Sequence, residues 1–134
     1  MAEKANAELV QRFYDNFLAG DIDTVLALLS PDFKLVYSGP PLIPSAGTWN
    51  GHEGFRSWTQ AVLEGHLPPE SINLEEFIVH GDKVAVPGHV TLRVKTTGKT
   101  CETDFLHLFT VRDDMLTSFR DFFDTFAVAQ AYKG

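Results

Sequence analysis

The sequence has one cysteine, no run of basic residues and no long apolar segment, and each of these absences excludes a class of protein. Cys101 cannot form an internal disulfide, so the fold does not depend on an oxidising compartment. The net charge of −7 leaves no basic face for nucleic acid or for an anionic membrane. No segment reaches the ~20 apolar residues of a spanning helix. We therefore expect a soluble, cytoplasmic protein without nucleic acid or membrane partners.

Patterns that bind metals or phosphates are also missing. His52, His66, His80 and His89 are scattered, without the H-x-x-x-H spacing that places two ligands on one helix face. No glycine-rich phosphate loop follows a predicted strand, and no G-x-S-x-G nucleophile elbow is present. The sequence therefore predicts no metal site and no bound cofactor.

Aromatic residues are abundant: the 134 residues include 11 phenylalanines, 2 tryptophans and 3 tyrosines, and 44% of the chain is hydrophobic. This is enough apolar surface for one folded domain, residues 1–134. Apolar spacing in the first half predicts three amphipathic helices, at residues 3–18, 22–29 and 52–64. We expect Gly20 to end the first helix and Asp21 and Asn50 to cap the next two.

Strands are predicted mainly in the second half. A short one runs from Phe33 to Tyr37, and the segment SGPPLIPSAGT after it has too much Pro and Gly for regular structure, which predicts a functional loop. Four apolar-rich runs separated by turn-like segments then cover residues 72–80, 83–96, 99–111 and 116–124. The expected fold is α+β: three N-terminal helices packed on a cone-shaped, curved antiparallel sheet whose interior forms a pocket.

Three stretches, AGDIDTVLALLSPDF, AGTWNGHEGFRSW and FLHLFTVRDDMLTSFRDFFDT, resemble the SnoaL-like branch of the nuclear transport factor 2-like superfamily. The resemblance runs from about residue 5 to residue 130 and implies the same α+β cone, of the cystatin-like kind. The superfamily includes isomerases, dehydratases, cyclases, epoxide hydrolases and non-catalytic binding proteins. The resemblance therefore implies a pocket, but it does not single out one reaction.

Two branches of the superfamily fit the residues poorly. Alignment with ketosteroid isomerase places Phe13, Tyr37 and Leu106 where that enzyme has a helix-borne tyrosine, an aspartate base and a protonated aspartate. Limonene-type epoxide hydrolases match at Tyr37 and Asp121, but Gly88-His89-Val90 replaces their Arg-x-Asp pair. We therefore expect no ketosteroid isomerase chemistry, and epoxide hydrolysis only if a one-residue shift of that strand turns its histidine inward.

The stretch FRDFFDTF carries the main catalytic candidate. As a strand it places Phe119, Asp121 and Phe123 on one face, with a carboxylate between two rings. The resemblance aligns Asp121 with the acid/base residue of the polyketide cyclases, which need no metal or cofactor for aldol ring closure. Desolvation would favour the neutral acid that such work requires. The alternative is an aspartate that pairs with Arg93, Arg120 or a backbone N–H to hold the sheet together.

His107 and Tyr37 are the other catalytic candidates. His107 shares a ring-lined strand face with Phe105, where it either couples with Asp121 as acid and base or is an ordinary core histidine. Tyr37 ends its strand where the loop begins. Its hydroxyl either reaches the cavity or stays in contact with solvent while the ring packs against the core. The predicted substrate-binding lining is Phe13, Phe17, Trp49, Trp58, Phe105, Phe119 and Phe123.

Two functions remain open at this point. The first is a cofactor-independent cyclase, isomerase or dehydratase that acts on a hydrophobic, carbonyl-bearing, polyketide-like molecule. The second is a binding protein that sequesters a small hydrophobic ligand in the same cone. In both cases Leu108 and Phe122 face the outer side of the sheet, and we expect a second copy to cover them in a homodimer.

Overall fold

The computed structural model describes residues 2–66 and 71–134, and in these ranges the chain forms four helices and seven strands. The helices are α1 (Ala2–Leu18), α2 (Ile22–Leu28), α3 (Gly51–Gly65) and α4 (Thr125–Tyr132). The strands are β1 (Leu29–Tyr37), β2 (Gly47–Asn50), β3 (Ser71–Leu74), β4 (Ile78–His80), β5 (Lys83–Arg93), β6 (Thr100–Arg112) and β7 (Met115–Phe123). The α+β class and the three predicted N-terminal helices are confirmed.

All seven strands belong to one curved sheet with the order β2-β1-β7-β6-β5-β3, and β4 pairs with β5 on the same edge as β3. Strands β5, β6 and β7 form the long antiparallel meander that the turn-like segments predict. Strand β1 pairs with β7 in parallel, and the long connection that a parallel pair requires is supplied by β2, α3 and the other strands between them. The sheet is therefore antiparallel except at this pair.

The predicted strand at residues 72–80 is two strands, and a proline explains the break. Pairing along β5 proceeds through Leu74 opposite Gly88 and resumes with Ile78 opposite Ala85. Pro87 lies between these two positions and has no N–H to donate to a neighbouring strand. Its carbonyl still accepts a hydrogen bond from the Glu75 N–H, at 3.0 Å.

Capping agrees with the prediction for two helices and differs for the third. Gly20 adopts the left-handed region with φ of 79°, and the Asp21 side chain accepts a hydrogen bond from the Thr24 N–H at the start of α2. Asn50 lies at the N-cap position of α3, but its side chain makes no capping hydrogen bond there. Its prediction as a side-chain cap is wrong, and Asn50 instead ends the short strand β2 that pairs with β1.

The C-terminal helix α4 is absent from the prediction. Asp124 starts it: its side chain accepts a hydrogen bond from the Ala127 N–H at 3.0 Å, and its own N–H donates to Thr103 Oγ1 at 2.9 Å. The helix buries Val128 and Tyr132. It has only eight residues, too few for an apolar period to stand out in the sequence.

The helices cover the concave face of the sheet. Phe13 of α1 lies at the centre of the core, with ring centroids 5.3 Å from Phe109, 5.9 Å from Phe119 and 6.1 Å from Phe55. No helix in the described ranges is both long and apolar enough to cross a membrane. On the opposite, convex face of the sheet, Leu106 and Phe122 remain about two-fifths exposed, at 38% and 37%.

We predict that Asp124→Ala lowers the free energy of unfolding by about 1 kcal/mol, because the N-cap of α4 is lost. Asp124→Asn is the matched control: it removes the charge but keeps a capping oxygen, so its stability should stay close to that of the wild type. Urea unfolding of the three proteins measures both effects. Equal losses in the two variants would show that charge, rather than capping, explains the role of Asp124.

Candidate functional site

A partly open cavity of about 120 Å³ lies between the concave face of the sheet and helices α1 and α3. Its walls are aromatic. Gly88 of β5 contributes to this shape, because a Cβ at that position would overlap the Phe105 ring, which lines the cavity. The predicted lining residues found in its wall are Phe13, Phe17, Trp58, Phe105, Phe119 and Phe123.

Trp49 is the one predicted lining residue that does not line the cavity. Its Nε1–H donates a hydrogen bond to the Ser45 carbonyl at 3.0 Å, so the indole folds back onto the loop that precedes β2. The prediction that Trp49 belongs to the substrate-binding lining is therefore wrong. The sequence offered no sign of β2, whose pairing with β1 sets the direction of this side chain.

The strand register brings the three candidate catalytic residues together in the cavity wall. Asp121 on β7 lies opposite His107 on β6 and next to Tyr37 on β1. His107 Nε2 is 3.4 Å from Asp121 Oδ2, and the two side chains are only 11% and 12% exposed. This distance exceeds the ~2.7–2.9 Å of a strong charge-assisted hydrogen bond, so the contact leaves the carboxylate weakly held.

The other carboxylate oxygen, Asp121 Oδ1, is buried and has no hydrogen-bond partner among the described residues. Arg120 does not supply one: its guanidinium lies on the convex face, 5.0 Å from the centre of the Phe122 ring. Buried polar atoms without a partner are rare because they lose hydration without compensation. A catalytic role is one physical explanation for such an atom in a cavity wall.

Tyr14 is a site residue that the sequence prediction missed. It is 2% exposed and lines the cavity, and its hydroxyl lies 2.7 Å from Nδ1 of His107. The alignment with ketosteroid isomerase placed Phe13 at the position of that enzyme's helix-borne tyrosine, and in the structure both Phe13 and the neighbouring Tyr14 line the cavity. The position of Tyr14 in the apolar stripe of α1 could have identified it. A tyrosine on a buried helix face usually needs a hydrogen-bond partner for its hydroxyl, which predicts a polar group in the core beside it.

The same alignment placed Leu106 at the second aspartate position, and Leu106 lies on the convex face. Its neighbour His107 is the residue that faces the cavity. His89 also stays outside, where its Nδ1 is 2.9 Å from Asp104 and its Nε2 3.4 Å from Glu102. The strand shift that epoxide hydrolysis would require does not occur, since Val90 takes the inward position.

The cavity keeps its tyrosine hydroxyls protonated. Burial, and to a lesser extent the negative charge of Asp121, raises the pKa of Tyr14 above its usual range. The same two causes, in the same order, raise the pKa of Tyr37. Both hydroxyls are therefore neutral hydrogen-bond donors around neutral pH. In the part of the chain that the structure describes, no group of three or more His, Cys, Asp or Glu side chains is arranged to hold a metal ion.

Comparison with known proteins supports the predicted resemblance. The family model of the SnoaL-like domain matches residues 10–127. An NTF2-like protein from Burkholderia xenovorans is 32% identical, with a TM-score of 0.88 over 99% of each chain. TerC, co-crystallised with polyporic acid, is 30% identical, with a TM-score of 0.79 over 97% of this chain and 99% of its own.

A protein described as a SnoaL-like polyketide cyclase, from Jannaschia sp., is 24% identical, with a TM-score of 0.82 over 97% of this chain and 92% of its own. At this identity the similarity shows the shared fold alone. Among curated proteins, no match to the sequence is found.

The three tyrosines of the chain yield a prediction for high pH. Burial raises the pKa of Tyr14 and Tyr37. Burial, and to a lesser extent the charge of the nearby Cys101, raises the pKa of Tyr132 to about 12. In the unfolded chain all three ionise near pH 10. The folded protein then holds more protons than the unfolded one above about pH 10, so the free energy of unfolding should fall as pH rises.

Titration of the phenolate absorbance, with circular dichroism recorded on the same samples, measures the pH at which the tyrosines ionise and the pH at which the protein unfolds. We expect little phenolate signal up to about pH 10.5 while the fold persists, and a steep rise when it unfolds. Tyr132→Phe assigns the part contributed by the less buried tyrosine. Half of the phenolate signal of Tyr132→Phe, which is one of its two remaining tyrosines, appearing near pH 10 with unchanged circular dichroism would contradict the burial of the cavity tyrosines.

Proposed function

The chain belongs to the SnoaL-like domain family, and from that premise we propose that it binds a flat, hydrophobic, carbonyl-bearing molecule and moves a proton on it. Asp121 is the general acid and base of this reaction. The observation that supports the proposal most directly is a buried carboxylate, in an aromatic cavity, whose Oδ1 has no hydrogen-bond partner among the described residues.

The size and walls of the cavity define the class of ligand. Its volume of about 120 Å³ is comparable to the ~150 Å³ apolar cavity that accommodates one benzene molecule. One ring of a ligand fits the enclosed part, and the remainder extends towards Leu18, a lining residue that is 49% exposed. TerC was co-crystallised with polyporic acid, a benzoquinone with two hydroxyl and two phenyl groups, and an aromatic carbonyl compound of this kind suits these walls.

The proposed reaction needs one group that takes and returns a proton. Asp121 Oδ1 removes a proton from a carbon next to the substrate carbonyl, and the electrons of that C–H bond form the C–C double bond of an enolate. The negative charge moves to the carbonyl oxygen. Asp121 then returns the proton to another carbon, which gives isomerisation, or to the alkoxide formed by aldol addition, which gives ring closure.

Neutral donors around the cavity are suited to the developing oxyanion. The Tyr37 hydroxyl keeps its proton, and β1 places this residue beside Asp121 in the strand register. Trp58 lines the cavity, and its indole Nε1–H is buried with no hydrogen-bond partner among the described residues. A carbonyl oxygen that accepts from either donor acidifies the adjacent C–H bond, because the enolate form is stabilised more than the ketone.

We predict that the wild-type protein accelerates the keto–enol tautomerisation of benzoylacetone, an aromatic diketone, and that Asp121→Asn lowers this acceleration by about 100-fold or more. The amide keeps the shape of the side chain but cannot take the proton. The decay of the enol absorbance measures the rate, and circular dichroism verifies the fold. Asp113→Asn is the matched control, since it removes the same charge from an exposed position in the turn between β6 and β7 and should retain full activity.

Two outcomes are decisive for this proposal. If Asp121→Asn tautomerises benzoylacetone as fast as the wild type, Asp121 is not the acid/base residue. If the wild-type protein binds polyporic acid but accelerates no tautomerisation, the chain is instead the second candidate, a binding protein without turnover. Calorimetry with polyporic acid measures that binding independently of any reaction.

We also propose that the convex face pairs two copies of the chain. Leu106 and Phe122 are neighbours across β6 and β7 and form the exposed apolar centre of this face. Along the strand direction, Glu102 and Asp104 lie at one end of this centre and Arg120 lies at the other end. A two-fold axis that lies in the interface plane, passes through the apolar centre and runs perpendicular to β6 and β7 brings the acidic end of one copy over the basic end of its partner, which makes the surface self-complementary.

Light scattering should give a mass of twice 14.9 kDa. Phe122→Asp should weaken self-association by more than about 30-fold, because it buries a charge at the centre of the interface. Phe126→Asp is the matched control, since Phe126 is 71% exposed and lies on α4 instead of the convex face. A wild-type mass of 14.9 kDa at micromolar concentration would contradict this interface.

A further inference from the structure

We infer that Tyr14 is a positioning residue, whose hydroxyl holds the proton of His107 on Nε2 and thereby gives the two oxygens of Asp121 different tasks. The inference rests on the proposed function for its catalytic consequence. The proton position itself is a property of the unliganded protein and can be measured without a substrate.

The hydroxyl of Tyr14 is held in one place. Its ring makes edge contacts with Phe13, Phe77 and Phe109, at centroid distances of 5.7, 5.9 and 5.6 Å. Its oxygen is 2.7 Å from His107 Nδ1, which is a short hydrogen bond. Because the ring is wedged on several sides, the hydroxyl is directed at Nδ1 without the entropy cost of ordering an exposed side chain.

The direction of this hydrogen bond follows from the other side of the imidazole. A neutral histidine has one N–H and one lone pair. If the proton were on Nδ1, the lone pair of Nε2 would face Asp121 Oδ2 at 3.4 Å, and two acceptors would repel each other. With the proton on Nε2, Nδ1 accepts from Tyr14 and Nε2–H faces the carboxylate. Burial raises the pKa of Tyr14, so the phenol retains the proton that this arrangement requires.

A difference between the two oxygens of Asp121 follows. Oδ2 faces the Nε2–H of His107, whereas Oδ1 has no hydrogen-bond partner among the described residues. Oδ1 is therefore the oxygen that receives the substrate proton. The His107 N–H remains directed at Oδ2 throughout, so the carboxyl keeps its orientation when its charge is neutralised.

The test is nitrogen NMR of protein labelled with ¹⁵N-histidine, at about pH 8, above the usual titration range of histidine. The shifts of Nδ1 and Nε2 distinguish the two neutral tautomers and the imidazolium, and His107→Gln assigns the signals. We expect the Nε2–H tautomer in the wild type. Tyr14→Phe should change the tautomer ratio by roughly 2- to 12-fold towards Nδ1–H, the effect of losing one hydrogen bond.

Tyr37→Phe is the matched control: it removes the other cavity hydroxyl next to Asp121 but not the hydrogen bond to Nδ1, so the tautomer ratio should not change. A wild-type protein with its proton on Nδ1, or with an imidazolium at this pH, would overturn the inference. An unchanged ratio in Tyr14→Phe would also overturn it. The wild-type spectrum decides the proton position even if Tyr14→Phe does not fold.

Kinetics separate this inference from the proposed function. If the protein accelerates benzoylacetone tautomerisation, Tyr14→Phe should lower kcat by up to about tenfold with little change in KM, because the phenyl ring still lines the cavity. If no acceleration is found, the proposed reaction fails while the NMR result stands on its own. A change in KM alone would assign Tyr14 to ligand binding instead of positioning and would overturn the inference.

Discussion

The register between β6 and β7 is the constraint on which the site depends. It sets His107 opposite Asp121 on the concave face, while Leu106 and Phe122, one residue away on each strand, form the opposite pair on the convex face. Because side chains alternate with a period of two, a slip of one residue would move the carboxylate out of the cavity and bring an apolar side chain in. The chemistry of the cavity is therefore fixed by backbone pairing.

The aromatic core maintains the polar cluster at a cost in stability. Phe105 and Phe119 pack against His107, with ring centroids 4.1 and 4.9 Å from the imidazole, and together with Phe13 they line the cavity that contains Asp121. A core optimised only for stability would not place a carboxylate oxygen and an indole N–H in such surroundings without partners. Departures of this kind are expected where a structure retains groups for function.

The sequence predicted the strands of the site better than its helices and edges. Alternation along FRDFFDTF placed Asp121 between Phe119 and Phe123 on the concave face, and the structure agrees. Tyr14 was missed because a helix face is broad enough for two consecutive residues, Phe13 and Tyr14, to line one cavity, and the apolar pattern does not distinguish which of them brings a polar group into it. Trp49 was misplaced because its direction depends on the long-range pairing of β2 with β1.

A crystal structure of the protein with bound benzoylacetone tests the central claim most directly, because it shows which atom meets the ligand. The account predicts a phenyl ring packed against Phe105 and Phe119, with the central carbon or an enol oxygen of the diketone next to Asp121 Oδ1. A ligand bound outside the cavity would contradict it. So would a ligand inside the cavity while Asp121 Oδ1 is occupied by a hydrogen bond from a protein side chain.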